Sequence, residues 1–200
     1  MSTYHVVDLF CGIGGLTHGF VKEGFDVRAG VDCDSSCEYG YEANNPKSTF
    51  INKRLEDVHL SEIEEFYPSN SPKVLVGCAP CQPFSSYTNS QSQDKKDWGL
   101  LSKFLELIKQ IKPDIVSMEN VIRLRTFRKG EVLEHFSSSL VKLGYGVAVN
   151  EVFCPDYGIP QSRKRLVLLV FCHASSDGYR CFNLMRASWV VKRQLVEAAR

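Results

Sequence analysis

Residues 5–23 read HVVDLFCGIGGLTHGFVKE. His5 to Phe10 is a short, β-rich apolar run, as expected of a strand buried on both faces. It passes directly into Cys-Gly-Ile-Gly-Gly, and Leu16 to Glu23 then reads as a helix. A strand, a glycine turn and a helix in succession open a βαβ unit. The glycines let the chain turn tightly and bring backbone amides close to a ligand, and the helix N-terminus favours an anion. Thr17 and His18 stand where a dinucleotide fingerprint has its last glycine, so a pyrophosphate is not required and a carboxylate would also suit the turn.

The alternation continues along the chain. Asp26 to Asp32 is a second strand. Ser35 to Asn45 is helical and is stopped by Asn44-Asn45-Pro46. A weaker strand lies at Thr49 to Asn52, and Lys73 to Cys78 is a clear one. From Trp98 to Ile111, Leu101, Phe104, Leu105, Ile108 and Ile111 share one helical face, and Pro113 ends that helix. Asp114 to Met118 is a strand, Gly130 to Leu143 a helix with Gly144 at its C-terminal cap. Val147 to Phe153 and Arg165 to Phe171 are strands that can pair as a hairpin. The fold class is therefore α/β, with a mostly parallel sheet and helices on both faces. Such sheets bind ligands beyond the carboxyl ends of their strands, where Gly12 to Gly15, Asp32, Cys81 and Glu119-Asn120 fall. Residues 85–97, SSYTNSQSQDKKD, have neither period and form a polar loop long enough to be functional.

The 200 residues are 44% hydrophobic and 24% charged, which fits one globular domain and excludes a disordered chain. The net charge of +1 does not by itself announce a nucleic-acid binder, although a local basic patch remains compatible with it. No stretch approaches the roughly 20 apolar residues of a membrane span, and the N-terminus lacks the basic-then-apolar pattern of an export signal. The expected location is cytoplasmic, at the nucleoid in a bacterium or in the nucleus of a eukaryote. The eight cysteines then read as thiols. Only Cys78 and Cys81 have the spacing of half a zinc site, and no second pair or histidine couple completes it, so no metal is expected. A redox dithiol would open a helix, whereas Gln82-Pro83 and the polar loop follow here.

That leaves Cys78 as the end of a strand and Cys81, after Pro80, as a nucleophile in need of activation. In a parallel sheet Glu119-Asn120 ends the neighbouring strand. Arg163 and Arg165 alternate at the start of the last strand, which places both guanidiniums on one side. Asp32 ends the second strand about 20 residues after the glycine turn, where an acid can bond ribose hydroxyls.

Together these pieces resemble the cytosine-C5 methyltransferases, over roughly residues 4 to 172. DLFCGIGG matches the family's cofactor turn, Pro80-Cys81-Gln82 its catalytic motif, MENV at 118–121 its Glu-Asn-Val motif, and YGIPQSRKR at 157–165 its Gln-x-Arg-x-Arg motif. The resemblance implies a Rossmann-like S-adenosylmethionine-dependent fold and a DNA (cytosine-5)-methyltransferase. Cytosine C5 is too weak a nucleophile to take a methyl group unaided. Thiolate attack at C6 gives C5 carbanion character, and a base later removes the C5 proton as the thiolate leaves. By this resemblance Cys81 is the nucleophile, Glu119 holds N3 and the exocyclic amine, Arg163 contacts the base carbonyl or the glutamate, and Arg165 supports it. Asn120 fixes the catalytic loop. S-adenosylmethionine would touch Phe10, Gly12, Ile13, Gly14 and Gly15. Its ribose would bond Asp32, and its adenine would meet Cys33, a smaller platform than the family's usual large apolar residue. Asp57, with Val58 beside it, would accept from the adenine amine, and Pro80 and Leu100 would line the pocket. The target base would be flipped out of a duplex.

The resemblance also sets expectations for the rest. Residues 1–172 are read as the catalytic domain and 173–200 as a short tail in place of a target-recognition domain. The partners expected are DNA and a complementary subunit that carries recognition. A truncated product and a non-catalytic cofactor- or partner-binding module are the alternatives. On either the split or the truncated reading the helix face beside the first strand should lie uncovered. Ser85 and Gln161 stand where the RNA-methylating branch usually has Thr and Asn, which favours DNA.

Overall fold

The computed structural model describes residues 3–80 and 99–172. Seven strands and five α-helices alternate through them: β1 His5–Leu9, α1 Gly15–Lys22, β2 Asp26–Asp32, α2 Glu38–Asn44, β3 Thr49–Asn52, α3 Leu60–Glu64, β4 Lys73–Gly77, α4 Gly99–Ile111, β5 Ile115–Val121, α5 Glu131–Lys142, β6 Tyr145–Phe153 and β7 Lys164–Cys172. They build one sheet in the order β3-β2-β1-β4-β5-β7-β6. From β3 to β5 every pairing is parallel, while β7 runs antiparallel to both β5 and β6. The last two strands thus form the expected hairpin, inserted so that its second strand lies against β5. The architecture is the Rossmann-like one, and the order reverses between β1 and β4, where an open α/β sheet presents its ligand crevice.

Two apolar layers sandwich the sheet. On one side Leu9, Val31, Leu75, Met118 and Leu168 pack with Phe104, Ile108 and Phe136 from α4 and α5. On the other Val6, Val74, Val76, Ile115, Val167 and Leu169 pack with Leu16 and Phe20 of α1. The alternation of side chains along each strand produces this division. The sheet residues on the α1 side are buried beneath that helix, while Val21 of α1 is exposed.

Local differences from the sequence reading have physical causes. The segment Ser35–Cys37 is a 3-10 turn capped by Asp34, whose carboxylate accepts from the Ser36 amide, and α2 starts only at Glu38. Helix α3 is five residues long, too short to show a period, and is held by a reciprocal capping pair between His59 and Glu62. An irregularity between Val6 and Val7 shifts the β1–β2 register, with Ala29 rather than Arg28 opposite Val7. Arg28 is left exposed and bonds Asp26.

Phe104 is fully buried on α4 and meets Phe136 of α5 with ring centroids 6.2 Å apart. Phe104→Ala should lower unfolding stability by about 3–5 kcal/mol in denaturant titration. Val141→Ala, at an exposed position on α5, should shift it by no more than about 0.5 kcal/mol.

Candidate active site at the carboxyl edge of the sheet

The glycine turn is built by three left-handed residues in five: Phe10 (φ 61°), Gly12 (φ 51°) and Gly14 (φ 86°). The Cys11 amide continues the sheet by donating to Val31, and the Gly14 amide closes the turn on Cys11. Asp32 clasps it from the end of β2. One carboxylate oxygen accepts from the Gly12 amide at 2.8 Å and the other from the Asp34 amide at 3.0 Å. A Cβ on Gly12 would meet nothing within 4 Å, so the turn faces open space there. Ile13 projects from it, 66% exposed. Gly15 opens α1.

Beneath the turn lies a buried polar cluster that the sequence reading did not anticipate. The hydroxyl of Thr17 on α1 donates to Asp8 Oδ2 at 2.8 Å, and the Tyr41 hydroxyl lies 3.3 Å from the same Thr17 oxygen. Thr17 has one proton, which the carboxylate takes, so Tyr41 supplies the second bond. All three residues have no exposed surface. The ring of Tyr41 fills the space that side chains at Gly14 and Gly30 would need: a Cβ at either would fall under 3 Å from it. Asp8 Oδ1 has no hydrogen-bond partner among the described residues. Burial, partly offset by the Thr17 bonds, raises the Asp8 pKa to about 7. An acid within the apolar run HVVDLF was the available signal, because a charge in a buried strand needs a reason.

The other cofactor-side candidates gather at the same edge. Cys33 is an exposed thiol directly after β2. Asp57 is exposed at the end of a 3-10 turn after β3, while Leu55 in that turn and Val58 after it are buried in the main core. Leu100 lies half-buried in the first turn of α4, against the same core. Pro80 is half-buried and is the last residue described before position 99. Cys81 lies outside the described residues.

Strands β4 and β5 pair in parallel, with Gly77 opposite Met118, so the residues after Gly77 run beside Glu119 and Asn120. Asn120 is completely buried. Its side-chain amide donates to the Ala79 carbonyl at 3.3 Å, and its oxygen accepts from the Val121 amide at 2.9 Å. The segment that leads to Cys81 is thus tied to β5. Cys78 is half-buried against the α1-side core, as expected of a strand end.

Glu119 lies opposite Val167, which places Arg165 diagonally across the β5–β7 pair on the same face. The Arg165 Nε donates to Glu119 Oε1 at 2.7 Å, with both side chains about four-fifths shielded. The β6–β7 ladder begins at Lys164 opposite Phe153, and Arg163 precedes it, with its carbonyl accepting from the Cys154 amide. Arg163 is exposed and makes no ion pair among the described residues. Arg165 is the arginine that holds the glutamate. Among the described residues no group of three or more His, Cys, Asp or Glu could hold a metal ion, and no helix is long and apolar enough to cross a membrane.

A family model described as C-5 cytosine-specific DNA methylase matches residues 4–194. The type II methylase M.HgiDII of Herpetosiphon aurantiacus is 56% identical over 163 residues, covering 82% of this chain and 46% of that protein. The type II methyltransferase M.AgeI of Thalassovita gelatinovora is 30% identical over 176 residues, 87% of this chain and 40% of its own. Among solved structures, a putative DNA modification methyltransferase encoded within an E. coli prophage superposes with a TM-score of 0.72 at 26% identity, over 85% of this chain and 47% of that one. The Dnmt2 methyltransferase of S. pombe, at 18% identity, shares the fold with a TM-score of 0.69 over 86% of this chain and 52% of its own. The chain spans about half the length of the relatives it matches.

Two outcomes follow from this geometry. The Asp8 pKa is raised from 3.8 in the unfolded chain to about 7, so the folded state binds the extra proton between those values and loses stability as pH rises through them. In Asp8→Asn that loss disappears, and the variant's stability relative to the parent, read by denaturant titration, should climb from about pH 4 to pH 7. Asn120→Ala removes both side-chain bonds of a buried amide and should cost about 1–3 kcal/mol in the same titration.

Proposed function

The chain belongs to the C-5 cytosine-specific DNA methylase family, and from that premise we propose that it carries the cofactor-binding and catalytic half of a DNA cytosine-C5 methyltransferase. The observation that carries the reading is the pairing of Glu119 with Arg165 on the strand beside the Pro80 edge, with Asn120 bonded to Ala79.

The family's methyl donor, S-adenosylmethionine, fits the donor set at the glycine turn. Asp32 spends one lone pair of each oxygen on backbone amides and keeps the others for two ribose hydroxyls. The open space over Gly12 admits the ligand against the backbone. Asp57 at the end of the neighbouring turn would accept from the adenine amine, and Cys33, Pro80 and Leu100 would border the ring. Phe10, Ile13, Gly14 and Gly15 would complete the turn around the amino-acid end. When bound, the cofactor supplies an electrophilic methyl group on a sulfonium.

The remaining work falls to this chain. Arg165 takes one lone pair of Glu119 Oε1, so Oε1 would still accept from the exocyclic amine of a flipped cytosine while a protonated Oε2 would donate its proton to N3. Protonation at that edge withdraws electrons from the ring and makes C6 open to attack by the Cys81 thiolate. The exposed Arg163 would meet the base carbonyl. Sulfur suits the step because it attacks well and leaves well once the C5 proton has been removed. Base recognition would come from a complementary segment, either continuous with these residues or on a separate subunit.

Transfer of labelled methyl from the cofactor to duplex DNA, with tRNA in parallel, tests this. Transfer to DNA that drops to background in Cys81→Ser and at least about 100-fold in Glu119→Gln is expected. Transfer that survives Cys81→Ser removes the mechanism, and transfer confined to tRNA removes the substrate.

A further inference from the structure

Segment 122–130, IRLRTFRKG, follows β5 at the edge that holds Glu119 and enters neither the glycine turn nor the catalytic set. It carries Arg123, Arg125, Arg128 and Lys129, with no acidic residue between Glu119 and Glu131. These four cations outnumber the chain's net charge of +1, so the remainder is net negative and the basic charge is concentrated here.

The segment is anchored rather than loose. Leu124 is completely buried and Phe127 packs against the main core. Residues Ile122–Arg125 lie against β7, whose first residues are Lys164 and Arg165. Arg125 is paired with Glu151 of β6. Arg123, Arg128 and Lys129 are exposed.

The backbone then does something costly. Arg128 (φ 46°, ψ 47°), Lys129 (φ 58°, ψ 23°) and Gly130 (φ 89°, ψ −7°) form three consecutive left-handed residues. Two of them carry long side chains in a region that L-residues disfavour. Strain of this sort persists only where the surroundings impose it, and it gathers at sites of ligand contact. Here it follows the two apolar anchors and sets both cations outward at the turn before α5.

We propose that segment 122–130 is a surface for the DNA sugar-phosphate backbone, on which Arg123, Arg128 and Lys129 contact phosphates flanking the base offered to Glu119. The inference rests on the DNA methyltransferase reading given above. A duplex carries one charge per about 1.7 Å, so a base delivered to this edge brings several phosphates to its rim. Arginines and a lysine on a fixed backbone position the duplex without reading its sequence. Arg125 is committed to Glu151 and serves as an anchor.

The test is the salt dependence of DNA binding by the full chain, read by fluorescence anisotropy of a labelled duplex between about 50 and 200 mM salt. The triple variant Arg123→Gln, Arg128→Gln, Lys129→Gln should reduce the slope of log affinity against log salt by about one for each phosphate no longer neutralised, and leave cofactor affinity unchanged. A charge-matched control, Lys109→Gln, Lys112→Gln, Lys142→Gln, removes three exposed cations at the opposite edge, where Pro113 meets the start of β6. Its slope should match the parent's. Lys129→Gly relieves the strain and removes one cation, so it should bind DNA with a slope smaller by about one while unfolding later.

An unchanged slope in the first triple variant, or an equal fall in the control, overturns the assignment. The two readings fail separately. Cys81-dependent transfer with an unchanged slope refutes the surface alone, whereas a reduced slope without Cys81-dependent transfer refutes the catalytic reading and supports the surface.

Discussion

The hydrogen bond from Asn120 to the Ala79 carbonyl joins the ends of β4 and β5, and the catalytic proposal depends on that junction. Parallel pairing brings the two strand ends to one edge, but chain ends leaving a sheet are free to splay. A buried amide that spends one donor on Ala79 and its oxygen on Val121 fixes the spacing between the glutamate and the segment that leads to Pro80. A side chain of similar size without both functions would give up both of these bonds. On the proposed mechanism the same strand end carries one residue for chemistry and, facing the opposite side of the sheet, one for position.

The hairpin β6–β7 completes that arrangement from the other direction. Because β7 runs antiparallel to β5, its first residues lie next to the last residues of β5. Only this reversal lets an arginine at a strand start face a glutamate at a strand end. The glycine turn depends on an equivalent economy. Asp32 holds Gly12 across 20 residues of sequence, while Tyr41 occupies the room that Gly14 and Gly30 vacate. The turn is thus fixed from above by a carboxylate and from below by a ring.

Much of this was legible in the sequence. The alternation of apolar runs and amphipathic helices gave the sheet and both helical layers, since period 2 and period 3.6 patterns are imposed by burial itself. Spacing placed Asp32, Glu119 and Asn120 at one edge because strand ends in a parallel sheet converge there. What stayed hidden was whatever depends on register. Which of the two arginines reaches Glu119 turns on the register of β7 against β5, which a local pattern does not encode. The Tyr41–Thr17–Asp8 cluster joins three elements and has no sequence period. Three successive left-handed residues at 128–130 were equally invisible, because only one of them is glycine.

The central claim is a covalent bond between one sulfur and a pyrimidine. It is tested most directly by intact-protein and peptide mass spectrometry after incubation with S-adenosylmethionine and a duplex in which cytosine is replaced by 5-fluorocytosine. Fluorine cannot leave as a proton does, so the adduct should be trapped. The account predicts a protein–DNA species whose added mass maps to the peptide containing Cys81. A trapped species at another residue, or methylation of unmodified DNA with no trapped species at all, would contradict it.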